Sequence, residues 1–140
     1  LPLKAPFLVT LGIEALVVMD IHAHLCTTEV IGLLGGHIIS SPGESQPTLL
    51  IEAAQPCRSQ ATNHQCEMCP GIFLLFCLDH VNINLHFLQN SVSQTEASEE
   101  LRSRGLEVVG WYHSHPTFPA LPSLRDLNTQ VRDSMKVCYL

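Results

Sequence analysis

Charge is scarce in this sequence. Asp, Glu, Lys and Arg make up only 14% of its 140 residues, and just 7 of them are Lys or Arg. No basic run is available to neutralise a phosphate backbone, which argues against direct nucleic-acid binding by this segment. Long apolar runs are also missing. A membrane-crossing helix needs roughly 18 or more uninterrupted apolar residues. The nearest stretch, Ile72 to Leu88, is broken by Asp79, His80, Asn82, Asn84 and His86. The apolar stretch from Ala5 to Met19 is interrupted by Glu14 and has no small-residue cleavage site after it, so it reads as folded structure rather than a secretory leader. The six cysteines follow no disulfide-framework spacing, which predicts buried free thiols in a reducing, intracellular compartment. No internal repeat is visible, and with a start at Leu1 rather than Met the sequence reads as a piece of a longer protein.

Hydrophobic residues make up 46% of the chain and the formal net charge is −6, as expected for one folded domain with one core. Pro6 to Gly12 reads as a first strand. Ala15, Val18, Met19, His22 and Leu25 share one face at helical spacing, which predicts a helix over Glu14 to Leu25. Glu29 to Ile39 is strand-like, with Gly35-Gly36 marking a bulge or a close backbone approach. A Pro- and Gly-containing turn, Ser40 to Gln46, leads to a second buried strand, Thr48 to Ala54, stopped by Pro56. After a polar loop from Arg58 to Pro70 comes Gly71 to Asn90, which contains no Lys, Arg or Glu and keeps no single period. Ser93-x-x-Glu96 then reads as a capping box, opening a helix to about Arg104 with Gly105 at its C′ position. Leu106 to Tyr112 should be a strand, His113 to Pro122 a loop, and Ser123 to Arg132 the start of another helix.

The chemistry is concentrated in Trp111-Tyr112-His113-Ser114-His115-Pro116, followed by Ser123-Leu124-Arg125-Asp126. Residues two apart on an extended segment point to the same side, so His113 and His115 can grip one metal ion. Asp126 follows after a loop long enough to fold back. Two imidazoles and a carboxylate leave a fourth position for water, which is the catalytic rather than the structural zinc pattern. A lone His-x-His is a weak signal, and Ser123-x-x-Asp126 is also an ordinary capping box. The two readings are compatible, because a capped helix start holds its carboxylate in place. His22-Ala23-His24 repeats the pattern on a predicted helix, where neighbours two apart sit ~200° around the axis and cannot share an ion. His22 should pack in the core and His24 face solvent. Cys66-x-x-Cys69 has no second pair to complete a structural zinc site, and the His-x-Glu of a zinc deaminase is absent. A His-x-His hydrolase on a (β/α)₈ barrel would need roughly 200 residues or more.

Taken together, Glu29 in TTEVIGLLGG, then VVGWYHSHP, then six residues and SLRD, resemble the JAMM motif of the MPN-domain metalloproteases. The likeness extends through ALVVMDIHAH, QCEM, VSQTEASE and PSLRDLNTQ, over Val9 to Met68 and Val92 to Gln130, toward the histone deubiquitinases of that family. It implies an α/β fold of MPN type (JAMM, cytidine-deaminase-like), a mixed sheet flanked by helices. It implies a Zn2+ cofactor held by His113, His115 and Asp126. Glu29 would be general base and then acid, Ser123 would steady the oxyanion, and the reaction would cleave the isopeptide bond between ubiquitin and a lysine of a nuclear protein such as a histone. Without the motif, Glu29 reads as a solvated carboxylate at a strand edge. A non-catalytic MPN interaction scaffold is the alternative, although such scaffolds usually lack a ligand and none is missing here. The sequence departs from the family at the apolar residues 71–90, which read as an insertion, and at residues 131–140. The later core strands of the family are not recognisable, so the resemblance implies a domain incomplete at its C-terminus with little or no activity of its own.

Overall fold

Three strands rich in Leu, Ile and Val share their inward residues between two apolar layers, and this division organises the fold. The computed structural model of the chain describes residues 6–57, 88–117, 119–124 and 126–128. Strand β1 (Leu8–Leu11) leads into helix α1 (Ile13–Leu25), followed by β2 (Ile31–Ile39), β3 (Thr48–Pro56), helix α2 (Leu88–Ser103) and β4 (Glu107–His113). The sheet runs in the order β1-β3-β2-β4, with β1 parallel to β3 and the other pairs antiparallel. It is the mixed, helix-flanked sheet of an α/β fold.

On one face, Ala15 and Met19 of α1 pack with Leu34, Leu49, Ile51, Ala54, Val109 and Tyr112. On the other, Ala97 and Leu101 of α2 pack with Ile31, Leu33, Ala53, Cys57 and Trp111. Successive residues of β2 and β4 therefore serve opposite layers, as the pleat requires. One consequence bears on the site: Tyr112 belongs to the α1 layer, whereas Trp111 belongs to the α2 layer.

The predicted irregularity at Gly35-Gly36 is present on both sides of β2. Gly35 and Gly36 pair with Ala53 and Ile51, leaving Glu52 as the extra residue of β3. Leu34 and Gly35 pair with Gly110 and Val108, leaving Val109 as the extra residue of β4. A Cβ on Gly36 would lie 1.9 Å from the backbone oxygen of Leu50, so the two strands approach there only because the side chain is missing.

Two local expectations are corrected. Helix α2 begins at Leu88, so Ser93 is not its cap, and residues 88–90, the last of the apolar stretch, lie in its first turn. Ser93 (8% exposed), Gln94 (3%) and Ser98 (0%) instead form a buried polar stripe with Ala97 and Leu101. That stripe resembles a helix start in sequence because serines suit both caps and close helix–sheet packing. The C-terminal signal holds: Gly105 has φ +76°, Gly105 N–H donates to Arg102 O at 2.9 Å, and Leu106 N–H donates to Leu101 O at 3.0 Å, a Schellman motif. The other correction concerns the thiols. Cys57 is buried as expected, but Cys26 is exposed. Cys66-x-x-Cys69, the apolar residues 71–87 and the tail 131–140 lie outside the described residues. No helix among the described residues is long and apolar enough to cross a membrane.

Candidate metal centre

Because β4 ends at His113, the chain leaves the sheet there and turns through Ser114 and His115 toward Pro116. His113 keeps the orientation of the α2 layer, and its ring stacks on Trp111 at 5.0 Å between centroids and 18° between planes. The turn then carries His115 back, until the Nε2 atoms of His113 and His115 are 2.7 Å apart. The hydrogen bond from Nδ1–H of His115 to Pro119 O, at 3.0 Å, keeps the Nε2 lone pair of His115 facing this centre.

Asp126 arrives from the following helical turn, which begins at Leu124. Ser123 caps it in both directions: Ser123 N–H donates to Asp126 Oδ2 at 2.6 Å, and Asp126 N–H donates to Ser123 Oγ at 3.2 Å. This is a reciprocal capping box. Its effect is to aim the two carboxylate oxygens at the imidazoles, with Oδ1 3.4 Å from His113 Nε2 and Oδ2 3.6 Å from His115 Nε2. His113, His115 and Asp126 are the one group of three among the described residues whose ligand atoms all lie within 4.8 Å of one another.

The electrostatics suit a cation. Burial pulls the pKa of His113 below its ordinary value, against the opposing pull of Asp126, so the ring is biased toward the neutral form that can donate a lone pair. Burial pushes the Asp126 carboxyl up, but the hydrogen bonds from Ser123 and the two imidazoles outweigh it, and the group stays ionised to lower pH than usual. Glu29 precedes the fully buried Val30 and lies near enough that its charge favours protonation of His113.

The second His-x-His behaves as the helical geometry demands. His24 is exposed, with its Nδ1–H donating to Asp20 O in the same helix at 2.8 Å. His22 points inward, its Nδ1 2.9 Å from the Tyr112 hydroxyl. Two features had no clear signal in the sequence. Ser114, between the candidate ligands, bonds twice to Val30. A cleft of about 580 Å³ opens beside the centre, between Leu16, Met19 and Ala23 of α1 and the Ala120-Leu121-Pro122 turn.

Residues 15–139 match the family described as prokaryotic homologs of the JAB domain. The chain is 46% identical over 129 residues to the histone deubiquitinase MYSM1 of Xenopus laevis, covering 92% of this chain and 13% of that protein. Identity to the human deubiquitinase MYSM1 is 45% over the same share of each. An MPN domain-containing protein of Danio rerio is 32% identical over 94% of this chain and 23% of its own length. The chain thus spans a small part of each relative. The solution structure of protein DSY2949 from Desulfitobacterium hafniense shares the fold, with a TM-score of 0.57 and 24% identity over 87% of this chain and 66% of that one. A family match over most of the chain, curated relatives with MPN domains and a shared fold lead to one conclusion: the chain belongs to the JAB/MPN domain family.

Proposed function

We propose that this domain is a zinc-dependent isopeptidase of the JAMM type that removes ubiquitin from a lysine of a protein substrate. The observation that carries the reading is the convergence of His113, His115 and Asp126 on one point beside an open cleft. The donor set fits zinc by its chemistry: two imidazole nitrogens and one carboxylate oxygen leave the site open, the pattern of catalytic rather than structural zinc. When bound, zinc supplies Lewis acidity, lowering the pKa of a water and polarising the scissile carbonyl.

In this reading Glu29 accepts the proton of the attacking water and then delivers it to the departing lysine amine, so that one carboxylate serves as base and acid in turn. That its charge is felt at His113 supports the assignment. Ser123 steadies the oxyanion through its hydroxyl hydrogen. The hydroxyl is engaged with Asp126 here, so it must turn from the carboxylate to do so. The relatives named as histone deubiquitinases support a ubiquitinated histone as the substrate and the nucleus as the place of action.

Metal analysis of the purified chain, paired with cleavage of a ubiquitin–lysine isopeptide by a complete version of the domain, tests the proposal. One zinc per chain is expected. In a complete version of the domain, Glu29→Gln, nearly isosteric but unable to take a proton, should keep that zinc and lose about 10²-fold or more in turnover. Unchanged turnover in this variant removes Glu29 from the role, and a chain that binds no zinc refutes the whole reading.

A further inference from the structure

Ser114 stands between the two candidate ligands, yet its side chain turns away from them. Its N–H donates to Val30 O at 3.0 Å, and Val30 N–H donates to its Oγ at 3.0 Å. These bonds continue the β2–β4 pairing one residue past its last regular partners, Ile31 and His113. In an antiparallel ladder the second bond would go to the backbone carbonyl of residue 114. Here the chain is already leaving the sheet, and the hydroxyl oxygen takes the carbonyl's place. Val30 is 0% exposed, so water cannot reach its N–H in exchange. Glu29 is joined directly to Val30, while His113 and His115 are joined directly to Ser114.

We propose that Ser114 is a positioning residue whose two bonds to Val30 hold Glu29 in fixed relation to the His113–His115 pair. This rests on the roles given to those residues under Proposed function. The clamp needs an acceptor at Oγ: an alanine or valine would leave a buried donor without a partner, whereas a threonine keeps the oxygen. Threonine and valine have nearly the same shape, so the difference between S114T and S114V isolates that oxygen from packing.

The experiment compares wild type, S114A, S114T and S114V in a complete version of the domain in the presence of zinc, following single-residue amide exchange, zinc loss to a competing chelator, and kcat and KM on a ubiquitin–lysine isopeptide. In S114A and S114V the Val30 amide should exchange about tenfold faster or more, with the amides of Leu49 to Ala54 as protected as before. Zinc should still bind one per chain but about tenfold more weakly, and kcat should fall at least about tenfold with KM little changed, in line with the loss of an outer support of a metal site. S114T should restore all three. Equal Val30 protection in S114T and S114V overturns the clamp, as does a kcat in S114V equal to that of wild type. If S114A loses protection throughout β3, the threonine–valine pair decides alone. Failure of the complete wild-type domain to bind zinc or cleave would refute the proposed function, and the Val30 exchange comparison would still decide whether the hydroxyl holds the two segments together.

Discussion

An imidazole can ligate a metal only through an unprotonated nitrogen, so the surroundings of each histidine decide its use. Burial biases His113 toward the neutral ring, and the Pro119 carbonyl fixes the tautomer of His115. His113→Ala should therefore abolish zinc retention on dialysis, whereas His22→Ala should leave it intact; equal loss from both would show that the centre lies elsewhere. His22 and His37 make a second prediction, because their shifts have opposite signs. Burial lowers the pKa of His22, so the unfolded chain takes up its proton first and stability falls as pH drops below about 6.5. The hydrogen bond to Glu52 raises the pKa of His37, so its contribution is fully present below about 6.5 and is lost as pH rises through the higher folded-state value. In thermal melts of zinc-free protein, His22→Gln should flatten the loss of Tm between pH 7 and 5. His37→Gln should lower Tm at the acid end and matter less above neutrality.

At the scale of elements, two glycines act for different reasons. Gly36 lets β2 and β3 touch at the double bulge, and an added methyl there would meet backbone that cannot move aside. Gly105 has nothing within 4 Å of its missing Cβ, and its demand is conformational, a positive φ that ends α2. Gly105→Ala should cost about 1 kcal/mol, the ordinary penalty of a left-handed backbone with a side chain. Gly36→Ala should cost about 3 kcal/mol, at the upper end of overpacking. Urea unfolding of both variants measures the difference, and a smaller loss at Gly36 would mean that the bulge can relax.

At the scale of the whole molecule, the apolar surface of the described residues is distributed unevenly. Ile13 (74% exposed), Val17 (46%), Ile21 (53%) and Leu25 (76%) step along the outer face of α1, with Leu16 beside them and Leu8 and Val9 exposed on β1. A continuous apolar stripe of this kind promotes association. The chain should bind a hydrophobic dye and self-associate with increasing concentration in light scattering. Ile21→Lys combined with Leu25→Lys should weaken both without lowering Tm, since neither side chain is buried. Undiminished association in the double variant would place the sticky surface elsewhere.

The four strands, both helices and the meeting of His113, His115 and Asp126 were legible in the sequence, because each rests on local pattern: alternation and helical spacing for the elements, His-x-His and Ser-x-x-Asp at short range for the cluster. The glycine pair likewise announced its bulge, and the helical His22-Ala23-His24 its inability to chelate. Other features depended on residues far apart in the chain. Ser93 looked like a cap until the sheet buried it, and Tyr112 gained its partner His22 only when α1 packed onto the sheet. Glu29 is far from His113 in sequence, and nothing local separates it from a solvated carboxylate. What brings Val30 beside Ser114 is the pairing of β2 with β4, a choice of strand partners made by the two apolar layers as they close. Local chemistry thus named the residues, and the register of the sheet decided which of them meet.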